Sequence, residues 1–258
     1  MIYTKKIQEA IKLAIETHEI NQKQKRKGKD VPYVVHPLTV GLILASAGAK
    51  EDVIVAGILH DTIEDSLEEK KVTYEIIKEG FGVAIADLVL SVTEQDKTKS
   101  WEDRKREAIE HVKAFSQESL LLKSADVLSN TTEMLEDYKQ NGEAVFKNFG
   151  AAKADIIKNR IQLITAIVAV WKNNPLADEL LSVAKALYSL CQFGFEGEKT
   201  ARILEYSDYH ENMEIECSVC GWKGTPKTSK SIEYYEELFD VSCPICEKML
   251  LVVNAVIV

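Results

Sequence analysis

The sequence predicts a mainly α-helical body followed by a small β-rich module built around cysteines. Two observations carry the body: helical periodicity runs to about position 190, and only 12 Gly and 5 Pro are spread over 258 residues. A third carries the module, because after about Ile203 paired cysteines, glycines and a β-branched tail replace that periodicity. Residues 1–198 therefore form one expected domain and residues 199–258 a second, with Phe193-Gly194-Phe195-Glu196-Gly197 as the linker.

Taken in order, Ile7, Ile11 and Ile15, flanked by Ala10 and Ala14, make a stripe that predicts an amphipathic helix from Thr4 to about Gln22. It runs into a loop, Lys23-Gln24-Lys25-Arg26-Lys27-Gly28-Lys29, with five positive charges in seven residues. Asp30-Val31-Pro32-Tyr33 reads as extended or turning, and a helix is expected to open at His36-Pro37, since proline suits a first helical position. Gly48-Ala49-Lys50-Glu51-Asp52 closes that helix and starts another over Asp52 to about Ser66, with acidic residues in its first turn. Further helices are predicted over Tyr74 to Lys78, Val83 to Val92, Glu102 to Phe115, Ser119 to Tyr138, Ile156 to Lys172 and Leu176 to Leu190. The tail Leu250 to Val258 reads as a strand.

With 46% hydrophobic and 28% charged residues the chain is neither disordered nor collagen-like. Its longest apolar stretches, Val53 to Leu59 and Ile164 to Trp171, are too short to span a bilayer, and no signal-peptide core follows Met1. A cytoplasmic protein is expected. A net charge of −9, from 32 Lys+Arg against 41 Asp+Glu, argues against a surface that coats nucleic acid, although a local basic cluster can still hold a small polyanion.

The chemistry concentrates in Ala56-Gly57-Ile58-Leu59-His60-Asp61-Thr62-Ile63-Glu64-Asp65. On a helix His60 and Glu64 are i,i+4, as are Asp61 and Asp65, so two polar pairs share one side about 6 Å apart along the axis. That spacing suits a metal-ligand pair beside a proton-transfer pair. An acidic helix end is ordinarily a solvated face, but two further residues sit in matching settings. His36 opens a helix behind the basic loop, and Asp126 interrupts the apolar stripe of Leu122-Lys123-Ser124-Ala125-Asp126-Val127-Leu128. A buried carboxylate there needs a partner. Two His and two Asp give a mixed nitrogen and oxygen site for one divalent ion such as manganese, with iron, magnesium and zinc as alternatives.

The order of these motifs resembles a known family. Arg26-Lys27-Gly28-Lys29-Asp30-Val31-Pro32-Tyr33-Val34-Val35-His36-Pro37, the His60-Asp61 segment, Phe81-Gly82, Val92-Thr93-Glu94, Trp101 to Lys105 and Lys123-Ser124-Ala125-Asp126 resemble HD-domain hydrolases of the RelA/SpoT type, above all the stand-alone small alarmone hydrolases. The resemblance covers roughly residues 4 to 190, with no synthetase half after it. It implies an HD-domain helical bundle, a role in the stringent response and removal of the 3′-diphosphate from guanosine 3′,5′-bis(diphosphate), ppGpp. One manganese ion would be held by His36, His60, Asp61 and Asp126. It further implies that Glu64 and Asp65 position and activate the attacking water, that Arg26 packs against the base and that Lys27 helps hold the nucleotide. Lys97 would meet the pyrophosphate, and Asn130 the ribose or its phosphate.

Two departures bear on the substrate. The family's first helix carries a His shortly before Gly-Gln, whereas here Asn21 stands in that place and His18 lies one turn earlier. After Asp126 the family has a basic residue and then Asn-Leu-Arg, whereas this chain has Val127 and Asn130-Thr131-Thr132. An adenosine alarmone, a 2′-phosphorylated dinucleotide or a nucleotidase substrate are the enzymatic alternatives. A nucleotide-sensing regulator acting through the cysteine module is the non-catalytic one.

Cys217-Ser218-Val219-Cys220 and Cys243-Pro244-Ile245-Cys246 form two CxxC pairs separated by 22 residues, which suits a closed structural zinc site of the zinc-ribbon kind. Cys191, alone on an apolar helix, reads as a small hydrophobe. Tyr234-Tyr235-Glu236-Glu237 argues against nucleic acid, so the module is expected to be structural or to contact a protein partner or a second copy.

Overall fold

The computed structural model describes residues 4–94, 98–193, 202–217, 220–235, 238–245 and 249–254. The chain divides into two compact units, Met1–Ala184 and Lys185–Val258.

The first unit is helical. Thr4 caps α1 (Lys5–Ile15) by accepting from the Ile7 amide, and Ile7, Ala10 and Ala14 are buried. The helix stops short of its predicted end because Glu16–Ile20 winds into a π turn. The extra residue in that turn rotates His18 inward, where it is fully buried. The basic loop is a narrow hairpin, with Arg26 N–H donating to the Val31 carbonyl (2.9 Å) and Tyr33 N–H to that of Gln24 (2.8 Å). Gly28 turns it with φ +75°, and a Cβ there would lie 2.1 Å from the Asn148 amide nitrogen, so only glycine fits.

The centre of the unit is α3 (Glu51–Leu59), whose residues Val53 to Leu59 are all buried. A helix apolar on every side must be surrounded. It packs against α1, α2 (Val35–Ser46), α6 (Val83–Val92) and α8 (Gln117–Asn141). α2 starts one residue before His36, so Pro37 is its third helical residue, two positions later than expected. Between these helices run α5 (Tyr74–Phe81) and α7 (Trp101–Val112), capped by Thr73 and Ser100 through the Ile76 and Asp103 amides. The unit ends with α9 (Lys153–Val170) and the start of α10 (Ala177–Phe193).

The predicted continuous helix over Asp52 to Ser66 is broken in two. α3 ends at Leu59, and α4 spans only Thr62–Asp65. The break has a local cause: His60 Nδ1 bonds the Gly57 carbonyl (2.8 Å) and Thr62 Oγ1 donates to that of Leu59 (2.6 Å), so side chains take acceptors that a continuing helix would use. The i,i+4 geometry assumed between His60 and Glu64 is therefore replaced by a turn centred on Asp61, at φ −94° and ψ −4°.

The second unit contains a four-stranded sheet. Its strands are β1 (Arg202–Glu205), β4 (Lys230–Tyr235), β5 (Leu238–Ser242) and β6 (Met249–Asn254), in the order β1-β6-β5-β4, with β2 (Ile215–Glu216) and β3 (Lys223–Gly224) as a separate pair. β1 runs parallel to β6 and the other pairs are antiparallel. Leu204, Ile215, Val241, Leu250 and Leu251 form its core with Cys217 and Cys243. The expected linker falls mostly on residues 194–197, and the last four tail residues on 255–258, both outside the described residues.

Close approach of α2 to α3 depends on Gly57, where a Cβ would stand 2.3 Å from Cδ1 of the fully buried Leu44. Gly57→Ala is expected to destabilise the protein by about 1–3 kcal/mol in chemical unfolding, whereas a tolerant site would show no loss.

Candidate active site

The helix break delivers the site. His60 leaves the end of α3, Asp61 sits in the turn, His36 comes from the first turn of α2 and Asp126 from the middle of α8. Their ligand-capable atoms converge. Asp61 Oδ2 lies 3.1 Å from His60 Nε2 and 3.7 Å from His36 Nε2, and Asp126 Oδ1 lies 3.4 Å from His36 Nε2 and 3.9 Å from His60 Nε2.

Each ligand candidate is held from behind. His36 Nδ1 pairs with Ser129 Oγ (3.1 Å), and His60 Nδ1 donates to the Gly57 carbonyl, so both imidazoles present Nε2 to the cluster. Asp126 Oδ2 accepts from Lys123 Nζ (2.8 Å) and Oδ1 from Asn130 Nδ2 (2.6 Å). Tyr33, whose phenol donates to Asp61 Oδ2 (2.6 Å), was not among the site residues expected from sequence. Burial together with Asp61 and Asp65 raises its pKa, so the phenol stays protonated and donates.

The electrostatics of the cluster call for a cation. Burial alone would raise the Asp61 carboxyl, yet the His60 and His36 imidazoles outweigh it and hold Asp61 well below the usual carboxylate range. Burial alone would lower His60, yet Asp61 and Asp126 push its pKa up to about 9. Even so, His60 Nε2 is buried without a hydrogen bond, facing Asp61 without the alignment of one. A divalent metal fits this donor set: it takes the orphaned nitrogen and replaces the proton that the carboxylates favour.

A cleft of about 550 Å³ opens from the cluster. Glu64 lines it, its Oε2 accepting from the Glu94 amide (3.3 Å). Asp65 is held on another side, where Gln24 Nε2 donates to its Oδ2 (3.0 Å) and Gln24 Oε1 pairs with His18 Nδ1 (2.8 Å). The inward-turned His18 therefore reaches the site's periphery, and Asn21, at the family's histidine position, bonds Lys70 at the surface instead.

Positive charge gathers around the cleft. Arg26, Lys27, Lys29, Arg104, Lys105, Lys123 and Arg160 line it. Arg26 lies over the Tyr33 ring and bonds both Glu133 and Asn130, while Lys29 pairs with Glu133 and Asp137. Lys27 rests over Phe149 (5.3 Å), and burial followed by the charge of Arg160 and Arg26 lowers its pKa. Half-buried Arg160 has no ion pair or hydrogen bond among the described residues, and its pKa too is lowered by burial. Lys123, Arg160 and Glu133 were missed by the sequence reading, although Arg160 carries the signal that singled out Asp126: a charge between Ile157 and Ile164 on an apolar stripe. Lys97 lies outside the described residues, as does Cys246. In the second unit, ligand atoms of Cys217, Cys220 and Cys243 lie within 4.8 Å of one another.

Residues 10–158 match the HD domain family. The guanosine-3′,5′-bis(diphosphate) 3′-pyrophosphohydrolase of Aquifex aeolicus is 38% identical over 130 residues, which is 50% of this chain but only 18% of that protein. Its Xenopus tropicalis namesake MESH1 is 38% identical over 130 residues, 50% of this chain and 69% of its own. Among solved structures, a metazoan ortholog of SpoT that hydrolyses ppGpp superposes with a TM-score of 0.58 at 25% identity, over 72% of this chain and 97% of that one. The structure of lmo0812 from Listeria monocytogenes gives 0.52 at 36% identity, over 60% of this chain and 99% of that one.

Glu133 holds the basic loop against α8. Burial raises its carboxyl, but Arg26 and Lys29 outweigh this and lower it from 4.5, so the stabilisation is present above that pH and lost as pH falls through the folded value. Glu133→Gln is expected to cost about 1–2 kcal/mol at pH 7 and progressively less as pH falls below 4.5, measured by urea unfolding across that range.

Proposed function

The chain belongs to the HD domain family, and on that premise we propose that it is a manganese-dependent hydrolase that removes the 3′-diphosphate from guanosine 3′,5′-bis(diphosphate). One observation carries the reading: a cleft lined by seven cationic side chains ends on a buried His/Asp cluster, with the Glu64 carboxylate beside it. Most of these cations are paired with carboxylates, but Lys27 and Arg160 have no acidic partner among the described residues, and unpaired cations in a recess are preorganised for the phosphate oxygens of a nucleotide with two diphosphates.

In the proposed reaction the water oxygen bonds to the phosphorus attached to the 3′-oxygen, the 3′-oxygen–phosphorus bond breaks as the 3′-oxygen takes up a proton from solvent, and the products are guanosine 5′-diphosphate and pyrophosphate. His36, His60, Asp61 and Asp126 would hold the ion. When bound, it supplies a Lewis acid that polarises the phosphoryl group and lowers the pKa of water. Glu64 accepts the proton that water loses, and Asp65, held by Gln24, shapes the field around it. Arg26 stacks against the base, Lys27 and Arg160 neutralise one diphosphate, and Lys97 with Lys105 and Arg104 meets the departing pyrophosphate. The protein is proposed to work in the cytoplasm, where its thiols stay reduced.

The test is product identity. Purified protein with manganese is expected to release pyrophosphate from guanosine 3′,5′-bis(diphosphate), and Asp61→Ala to lower kcat at least about 100-fold. Release of orthophosphate, or no turnover, rejects the reading. Arg160→Met is expected to raise KM about tenfold with a smaller change in kcat, because it binds a part of the substrate that does not react.

For the second unit we propose a structural zinc held by Cys217, Cys220, Cys243 and Cys246, a staple for a core of few residues. Elemental analysis is expected to find one zinc per chain, and chelation to melt the sheet signal without lowering the helical one. A metal content unaffected by Cys217→Ser would remove this assignment.

A further inference from the structure

Asn130 is the residue whose observed contacts differ most from the role its motif implies. Its side-chain amide has two ends with unlike neighbours. Oδ1 accepts from Arg26 Nη2 at 2.7 Å, and Nδ2 donates to Asp126 Oδ1 at 2.6 Å. No other orientation serves, because a guanidinium only donates and a carboxylate only accepts. The oxygen that Asn130 grips is also the one that faces His36 and His60 Nε2, at 3.4 and 3.9 Å. Arg26 is fixed in turn by Glu133 and lies 5.2 Å from the Tyr33 ring centroid, on the nucleotide side of the cleft.

We infer that Asn130 is a positioning residue that couples the two halves of the site, its amide transmitting the placement of Arg26 to the Asp126 oxygen that faces the metal position. This goes beyond the proposed activity, and it rests on that reading only for the identity of the ion at the His/Asp cluster. A group behind a ligand sets the ligand's direction, and its loss weakens metal binding about 10- to 100-fold in known sites. Arg26 lies one group further out and acts through Asn130, so its loss is expected to weaken the metal by less. Coupling of this kind is reciprocal: a base that engages Arg26 alters the metal affinity as much as the metal alters the affinity for the base.

Direct electrostatics makes the opposite forecast. Removing the Arg26 cation, which leaves Glu133 with Lys29 as its remaining partner, makes the cleft more negative and would tighten binding of a divalent cation. The sign of the change therefore separates the bridge from the field.

The experiment is calorimetric titration of Mn2+ into the metal-stripped full chain without nucleotide, with circular dichroism to show that each variant is folded. Asn130→Leu is expected to weaken Mn2+ about tenfold and Arg26→Met about three- to tenfold. The double variant is expected to match Asn130→Leu within about twofold, because Arg26 reaches Asp126 only through the amide. Arg26→Lys, which keeps a charge and a donor, should retain the wild-type affinity within about twofold. Unchanged or tighter binding in Arg26→Met overturns the inference. So does an Arg26→Met effect that persists in the Asn130→Leu background, or an equal loss in Arg26→Lys. Each readout is metal affinity alone, so failure of the bridge is distinct from failure of the hydrolase reading, which pyrophosphate release decides.

Discussion

Two carboxylates and two imidazoles meet in the interior of a helical bundle, and their mutual charge is the constraint to which the rest of the first unit conforms. Asp61 and Asp126 cannot be buried near each other without positive charge between them, and the imidazoles supply it only by taking protons or by yielding their Nε2 atoms to a cation. Everything behind the cluster is arranged for the second course. His60 gives Nδ1 to a backbone carbonyl, His36 gives Nδ1 to Ser129, and Lys123, Asn130 and Tyr33 occupy positions from which they steer the carboxylates.

That arrangement exacts a break in the most buried helix. α3 is apolar on all sides so that four helices can pack around it, and its end must stop at Leu59 for His60 and Asp61 to face the same point. Side-chain bonds from His60 and Thr62 make the stop and pair the Gly57 and Leu59 carbonyls that the helix no longer uses. Fold and site are thus specified by one short segment, and the glycine within it admits the partner helix at close range.

The basic loop answers the same field from outside. Around the cleft, Arg26 and Lys29 of the loop are neutralised by Glu133 and Asp137 of α8, whereas Lys27 of the loop and Arg160 of α9 have no acidic partner among the described residues. The first group fixes the shape of the loop. The second leaves two cations uncompensated in a cleft whose lining balances acidic and basic side chains, in a chain that carries −9 as a whole.

How much of this was legible depended on whether a signal is local. Helix positions followed from apolar spacing, and Asp126 stood out because a carboxylate on an apolar stripe needs a partner. His60 and Asp61 stood out through their i,i+4 pairing with Glu64 and Asp65, and His36 by its place at a helix start behind the basic loop. Tyr33 did not stand out, since nothing in a sequence shows where a phenol points, and neither did Arg160, despite the same stripe signal that marks Asp126. By itself the sequence determined the helical class, the change of character near residue 200 and the residue types that make the cluster, because periodicity and composition act over a few neighbouring residues. Only the tertiary structure decided that the helix breaks at His60, that His18 turns inward on a π turn, and that Asn130 spans Arg26 and Asp126. The last depends on contacts between residues more than a hundred positions apart, and the first two on short-range side-chain and backbone bonds, where packing and charge complementarity choose among local conformations of nearly equal energy.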